Sequence, residues 1–218
     1  MNAPLRTVWL VMLTAMLSAV GGCAVVSWFV AQFAPPQKVK ALYKPPKGKT
    51  LLVFVDDLGQ EVTYAPIKGK LTEKLNKLLV AKGVAGQTVD YDRLVDLSIA
   101  ASDFNRLAVC EVGQKLGADI VLYVWIDKFS LKDTEASPLW RGQFGTTVRL
   151  VDTEAGRLWP QDRLGYPVKP VETPRIDNAS PTYGTELVDI LAERMADRIT
   201  KLFHDHRVPA QQFNATER

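Results

Sequence analysis

Residues 50–59 read TLLVFVDDLG, and this stretch decides the fold of the 218-residue chain. Residues 51–55 are a continuous apolar run, and the turn-forming Asp56, Asp57 and Gly59 follow it directly. A short apolar run bounded by turn residues is typical of a strand that is buried on both faces. Because such a strand needs a covering layer on each side, the pattern predicts a central strand between helices.

Helical and strand patterns alternate after this first strand. A three- and four-residue apolar spacing predicts a helix that ends at Gly83, a typical helix C-cap. Residues 88–91 are expected to form a short strand and residues 92–97 a short helical piece. A further helix is predicted from the N-cap Ser102 to Gly117, and residues 119–127 read as a second central strand.

The second half of the domain adds a hairpin and a final helix. Residues 142–152 alternate apolar and polar side chains, and residues 157–160 follow after a turn, which predicts a β-hairpin. Residues 161–182 contain four prolines without a period and are expected to be a loop. Apolar spacing over residues 187–202 predicts an amphipathic helix of about 20 residues. The predicted fold is α/β (α+β), a small mixed sheet with helices packed on it, in the order β-α-β-α-β-β(hairpin)-α.

Four segments resemble, in order and spacing, one group of envelope domains. They are LLVFVDDLG (51–59), DYDRL (90–94), VGQKLGADIVL (112–122) and VRLVDTEAGRLW (148–159). This group includes the amino-terminal domain of the Tol-system periplasmic protein, the curli-secretion lipoprotein and lipoprotein activators of peptidoglycan synthases. The resemblance implies this fold and a role in protein contacts. The order of several short motifs along the chain is also similar to that in uncharacterised bacterial lipoproteins. These motifs are Cys23, Pro35-Pro36, Ala41 with Tyr43, and Val55-Asp56-Asp57.

The chain departs from the group at the loop after the first strand, which reads Asp-Asp-Leu-Gly where the group carries a Phe-Asp-Asn-like turn. No segment resembles the membrane-spanning part of a secretion channel or a β-propeller. Pore formation and the Tol role are therefore not expected.

The amino terminus predicts export and lipid attachment. Arg6 precedes residues 7–34, which contain no charged side chain, and residues 8–17 form an apolar segment. This is the pattern of a signal peptide with a positive start. Small residues lead into Cys23, and Val20-Gly21-Gly22-Cys23 resembles the bacterial lipobox. The resemblance implies that residues 1–22 are a signal peptide and that the Cys23 thiol carries a lipid.

Two alternatives for the amino terminus stay open: an uncleaved transmembrane helix, since the uncharged stretch is long enough to span a bilayer, and an ordinary secretory signal.

Residues 23–49 are predicted to be an apolar segment followed by a proline-rich linker. A single domain is expected over residues 50–207, and residues 208–218 are expected to be a flexible tail. Ala24 is not aspartate, so by analogy with lipoprotein sorting the outer membrane, facing the periplasm, is favoured.

Composition excludes several classes of function. The chain has 27 basic and 24 acidic residues, which is too even for a nucleic-acid-binding surface. Its two cysteines, Cys23 and Cys110, do not make a disulfide framework, and Cys110 is expected to be a small buried apolar residue. The two histidines, His204 and His206, lie two apart near the carboxyl end, so one metal ion is not expected to bind both. No cofactor motif is present, and no cofactor or metal is expected.

Asp56 and Asp57 are the candidate ligand loop. They follow a central strand at its carboxyl end, where open α/β sheets bind ligands. Paired carboxylates suit Mg²⁺ or Ca²⁺ binding or acid-base chemistry. The alternative interpretation is a turn in which the aspartates accept local hydrogen bonds.

Trp140 and Tyr166 are the candidate partner surface, because both fall in predicted loops and aromatic residues are enriched in protein interfaces. Tyr123, Trp125 and Trp159 are expected in the core. The sequence thus predicts a non-enzymatic accessory lipoprotein, anchored to the membrane by acyl chains and docked on an envelope protein. The second hypothesis is a periplasmic ligand-binding or enzymatic domain that uses Asp56 and Asp57.

Overall fold

The computed structural model describes residues 36–57, 66–134, 137–177, 180 and 182–209. Residues 1–35, with the predicted signal peptide and Cys23, lie outside this part of the chain. The strands are β1 (Gln37–Val39), β2 (Thr50–Asp56), β3 (Gln87–Thr88), β4 (Ile120–Lys132), β5 (Trp140–Asp152), β6 (Gly156–Trp159), β7 (Tyr166–Glu172) and β8 (His206–Val208). The helices are α1 (Pro66–Ala81), α2 (Tyr91–Ala100), α3 (Val109–Lys115) and α4 (Tyr183–Lys201).

The described residues divide into two compact units, one containing residues 36–40 and 205–209 and the other containing the described part of residues 41–204. In the first unit, β1 pairs antiparallel with β8, and Gln37 lies opposite Val208. The sequence pattern indicated neither strand, because three residues are too few to show a period of two.

The second unit is built on a six-stranded mixed sheet. The strand order is β3-β2-β4-β5-β6, and β7 also pairs with β5. Strand β2 runs parallel to β3 and β4, whereas β5 runs antiparallel to β4, β6 and β7. The predicted fold class, a mixed sheet with helices packed on it, is confirmed.

One face of this sheet is covered by α1 and α4. Both helices carry apolar side chains at three- and four-residue spacing, and these are fully buried against β2, β4 and β5. The fully buried residues of the two helices include Ile67, Leu71, Leu75, Leu79, Leu187, Leu191, Met195 and Ile199. Burying each such side chain contributes about 1.5–3 kcal/mol, so this layer is the main apolar core of the unit.

The opposite face of the sheet is covered by a smaller apolar cluster. Leu94 of α2 and Val112 of α3 pack there with Leu52 of β2 and Val121 of β4. Successive strand residues point to opposite faces, so β2 sends Leu52 to this cluster and Val53 to the main core. This double burial explains the continuous apolar run from which β2 was predicted.

The helix predicted from Ser102 to Gly117 was wrong in its first half. Phe104–Arg106 form a 3₁₀ turn, and α3 begins only at Val109. The backbone at Leu107 and Ala108 is extended, with ψ of 136° and 151°. The Ala108 N–H donates to Glu111 Oε2 at 2.7 Å. Glu111 thereby caps a helix whose N-cap is Ala108, six residues after the predicted N-cap Ser102.

The predicted loop over residues 161–182 was also wrong, because it contains β7. This strand pairs with the first half of β5, with Gln143 opposite Glu172. Its Val168 and Val171 are buried. Pro167 and Pro170 lack an N–H and concealed the strand pattern, but prolines are tolerated in an edge strand.

No helix in the described part of the chain is both long and apolar enough to cross a bilayer. The uncharged stretch at residues 7–34 lies outside that part, so the predicted signal peptide stays a prediction.

The contact between α3 and the sheet gives the first test. A Cβ atom on Gly113 would lie 2.5 Å from a Val121 methyl and 2.6 Å from a Thr153 methyl. We therefore expect Gly113→Ala to lower the free energy of unfolding by about 1–3 kcal/mol through overpacking, despite the better helix propensity of alanine. Urea denaturation measures this value.

Gly69→Ala in α1 is the matched control, because its nearest neighbour is the ring edge of the half-buried Tyr91 at 3.1 Å. It should gain up to about 1 kcal/mol from helix propensity. Equal stability changes in both variants would contradict the tight α3–sheet contact.

Candidate functional site

The chain leaves β2 and β3 toward opposite faces of the sheet. After β2 it forms α1, which packs in the main core, and after β3 it forms α2 and α3, which pack in the smaller cluster. Strand β2 lies between β3 and β4 and is parallel to both. Neighbouring parallel strands whose connections leave toward opposite faces form a topological switch point. A crevice opens there at the carboxyl ends of the strands, and α/β proteins bind ligands in it.

A cavity of about 720 Å³ lies at this end of β2. Four aromatic rings line it, together with aliphatic side chains of α2 and of the segment leading to α3. These rings belong to Phe54, Tyr91, Phe104 and Tyr123. This volume falls within the range of about 300–1,000 Å³ that is typical of small-ligand sites. The lining also carries polar groups from Asp56, Asp57, Lys68, Ser98 and Asn105.

Asp56 lies at the sheet side of this cavity and accepts hydrogen bonds from Tyr123 and Asp57. Tyr123, on the neighbouring β4, donates its hydroxyl to Asp56 Oδ2 at 2.5 Å. The Asp57 N–H donates to Asp56 Oδ1 at 2.8 Å. The parallel pairing of β2 with β4 brings these residues together, because Asp56 lies opposite Trp125 in the register, two residues beyond Tyr123.

Asp57 forms an ion pair across the mouth of the cavity. Lys68, in the first turn of α1, places its Nζ 2.8 Å from Asp57 Oδ2. Only 16% of the Asp57 side chain and 29% of the Lys68 side chain are exposed. The pair therefore lies in a partly desolvated position, where its attraction is weakened less by solvent than at an open surface.

Asp56 and Asp57, the two predicted ligand-loop residues, thus lie at one cavity. Asp56 accepts a hydrogen bond from Tyr123, and Asp57 forms an ion pair with Lys68. Within the described residues, no three His, Cys, Asp or Glu side chains are grouped closely enough to hold a metal ion. Polar groups of a ligand would meet Asp56, Asp57 and Lys68 at the mouth of the cavity and aromatic rings along its wall.

Burial raises the pKa of the Tyr123 hydroxyl well above its usual value of 10, and the hydrogen bond to Asp56 raises this pKa further. Tyr123 is 6% exposed. Its neutral form is favoured in the folded protein, because an ionised phenol would lose hydration and face the Asp56 carboxylate.

The candidate partner residues begin strands rather than lie in loops. Trp140 is the first residue of β5, and its ring contacts Tyr183 edge-on, with the centroids 6.0 Å apart. Tyr166 begins β7, and its ring centroid lies 5.1 Å from that of Trp159. Both rings are half-buried against the main core. The structure does not bring them to the Asp56–Asp57 cavity.

The remaining candidate residues lie elsewhere. Cys110 is in the first turn of α3 and is only partly buried, so the expectation of a buried apolar residue was too strong. His204 Nδ1 lies 2.8 Å from the Thr200 carbonyl oxygen at the end of α4. His206 belongs to β8.

The fold and cavity define a class: a mixed α/β domain with a crevice at the switch point of its parallel strands. No protein-family model matches the chain, and no curated protein matches it. Solved structures with a similar fold include the lipoprotein GNA1162 from Neisseria meningitidis, at 16% identity and a TM-score of 0.43. The similarity covers 68% of this chain and 99% of that one.

Two more similar structures are a PelC dodecamer from Paraburkholderia phytofirmans and the LpoB carboxyl-terminal domain from Salmonella enterica. The first has 13% identity and a TM-score of 0.39, covering 78% of this chain and 98% of that one. The second has 15% identity and a TM-score of 0.34, covering 62% and 86%. All three similarities are distant, with low identities and low TM-scores.

The buried Tyr123 hydroxyl predicts a pH dependence of stability. In the unfolded chain the phenol loses its proton near pH 10, whereas the raised pKa keeps the folded phenol protonated. Stability is therefore fully present below pH 10 and falls as the pH rises beyond it, by up to about 1.4 kcal/mol per pH unit. Denaturant unfolding between pH 9 and 11.5 measures the slope.

Tyr123→Phe removes this titration and leaves every other ionisable group in place. Its stability should decline less steeply than that of the wild type above pH 10. Parallel curves for the two proteins would show that Tyr123 ionises equally in both states.

Proposed function

We propose that this chain is a membrane-anchored envelope lipoprotein that acts as a non-enzymatic accessory protein for an envelope complex, in secretion, transport or cell-wall synthesis. The observation that carries the proposal is Val20-Gly21-Gly22-Cys23, directly after the uncharged apolar segment at residues 8–17. Small residues before the cysteine suit cleavage by a signal peptidase, and the position matches the end of a signal peptide.

The segment after Cys23 suits a tether. Gln37, the first residue of β1, lies 14 positions after Cys23, a length of chain that spans at most about 50 Å. The Pro35-Pro36 pair favours an extended, semi-rigid conformation. A domain tethered to a membrane meets its membrane-bound partner at a raised effective concentration, so a modest affinity is sufficient. Ala24 favours the outer membrane.

The geometry of the cavity supports contacts rather than catalysis. Asp56 and Asp57 are engaged by Tyr123 and Lys68, which stabilises the end of β2 as a structural element. A general base would need access to a substrate proton within hydrogen-bond reach. Trp140 and Tyr166 remain candidates for the partner surface, with each ring partly buried against the core.

Lipid attachment and partner recovery test the proposal together. We expect Cys23→Ser to abolish incorporation of a palmitate analogue in cells and to reduce strongly the recovery of a crosslinked envelope protein, because the tether is lost. Mass spectrometry of the crosslinked complex, purified in detergent, measures the recovery.

Cys110→Ser is the matched control, since it removes the other cysteine and should leave both readouts unchanged. Label that persists in Cys23→Ser would contradict the lipid anchor. A wild-type protein that emerges alone at every crosslinker dose would contradict the accessory role.

The 720 Å³ cavity favours a second candidate function, the binding of a small periplasmic ligand at Asp56 and Asp57. The double variant Asp56→Asn/Asp57→Asn tests it, because it keeps side-chain size and removes both charges. A folded variant that fails to support growth or envelope integrity would favour ligand binding. An unchanged phenotype, with no metal in the purified protein, would remove this candidate.

A further inference from the structure

One end of the second unit is formed by the starts of β2 and β4 together with the ends of α1 and α4. The N–H of Gly86, a few residues after α1, donates to the Lys49 carbonyl oxygen just before β2 at 3.1 Å. Strand β4 begins beside β2, because the two strands are parallel. The Leu42 N–H donates to the carbonyl oxygen of Leu202, directly after α4, at 2.8 Å. The chain therefore enters this unit at the same end at which both helices finish.

The direction of α4 agrees with this placement. A Cβ atom on Gly142, early in β5, would lie 2.8 Å from a Leu191 methyl, and further along, the Thr146 hydroxyl lies 3.2 Å from Met195 Sδ. Helix α4 thus runs in the direction of β5. Because β5 is antiparallel to β4, it ends where β4 begins, and α4 ends there too.

Four lysines lie at this end of the unit, and we call them the lysine end: Lys47, Lys49, Lys82 and Lys201. Lys47 and Lys49 precede β2, Lys82 directly follows α1, and Lys201 is the last residue of α4. Lys49 forms an ion pair with Asp119 at 3.1 Å, and Lys201 forms one with Asp197 at 2.6 Å. Lys47 and Lys82 are exposed, and neither forms an ion pair with a carboxylate of the described residues.

The other acidic groups at this end lie on the β5 side of the sheet. Asp152, the last residue of β5, accepts the N–H groups of Glu154 and Ala155, both at 2.9 Å. Glu154 is exposed in the turn between β5 and β6. The C-termini of α1 and α4 each add about half a negative charge. Lys47 and Lys82 still leave the side formed by α1 and the entering chain with a net positive charge.

Exposed aliphatic side chains accompany these lysines. Leu42 is 54% exposed, and Val80, in the last turn of α1, is 45% exposed. Lysines interleaved with exposed aliphatic residues are typical of a surface that lies at the boundary between lipid headgroups and acyl chains. The lysine end therefore has the charge and the apolar contacts that suit an anionic membrane surface.

We propose that the lysine end contacts the anionic phospholipid surface of the membrane to which the chain is anchored. This inference rests on the proposed anchor at Cys23 and names the surface of the domain that faces the lipid. Lys47 and Lys82 meet the lipid phosphates, because basic residues close to an anionic leaflet are attracted to it within about one Debye length. Leu42 and Val80 meet the apolar boundary beneath the headgroups.

This orientation also determines where the cavity lies. The Asp56–Asp57 cavity is at the carboxyl end of β2, whereas the lysine end is at the amino end of the same strand. A domain that contacts the membrane through the lysine end presents the cavity away from the lipid, where a periplasmic molecule reaches it.

An environment-sensitive dye on Val80→Cys tests the membrane contact. The full-length acylated protein also carries Cys110→Ser, and the dye nitrobenzoxadiazole is attached to position 80. The protein is reconstituted into vesicles of phosphatidylcholine alone or of phosphatidylcholine with phosphatidylglycerol. We expect about twofold higher dye emission in the anionic vesicles, because the lysines hold position 80 at the headgroups. Salt at about 1 M, which shortens the Debye length to about 3 Å, should remove this difference.

Charge reversal identifies the lysines that are responsible. Lys47→Glu/Lys82→Glu should lose the rise in emission, because each lysine near an anionic surface contributes about a fivefold preference for it. Lys128→Glu/Lys169→Glu is the matched control, since it makes the same change of charge at exposed positions of β4 and β7, away from the lysine end. This control should keep the rise.

A dye on Thr185→Cys reports on the opposite end of the unit, because this exposed residue lies in the first turn of α4. Its emission should be the same in both kinds of vesicle. Equal emission from position 80 in both kinds of vesicle, or an equal rise at positions 80 and 185, would overturn the inference and leave the anchor intact. Dye uptake by Cys23 in Cys110→Ser, or a protein that floats with neither kind of vesicle, would overturn the lipid anchor itself.

Discussion

The structure depends on the burial of β2 and β4 on both faces. Each strand sends alternate residues into two separate apolar clusters, so that Leu52 and Val121 face one layer while Val53 and Leu122 face the other. A parallel strand pair cannot be left open to water on either side without exposing an apolar row. Both helical layers are therefore required, and the chain has to cross to the opposite face between β3 and β4.

That crossing also creates the cavity. Because α1 and the α2–α3 segment leave the carboxyl ends of adjacent strands in opposite directions, a gap opens beyond the end of β2. Asp56 and Asp57 lie at that gap as a consequence of strand position. Their partners, Tyr123 and Lys68, come from β4 and α1, which are two of the elements that line the cavity.

The two faces of the sheet have different roles. Helices α1 and α4 cover one face and form the larger apolar core with it. The other face carries a small cluster, a cavity and the stacked pair of Trp125 and Arg149. Its polar groups at the end of β2, Asp56 and Asp57, are held by Tyr123 and Lys68 rather than by the apolar core.

The sequence by itself determined the elements whose pattern is local. The apolar run of β2 and the helical spacing of α1 and α4 are each periodic within one segment. The signal peptide at residues 1–22 also rests on a local pattern and stays a prediction. Only the tertiary structure decided β7, because its pairing depends on the free edge of β5 rather than on its own proline-containing pattern. Only the tertiary structure likewise shows that Arg149 stacks on Tyr123. The two residues are 26 positions apart in sequence, and the register between β4 and β5 brings them together.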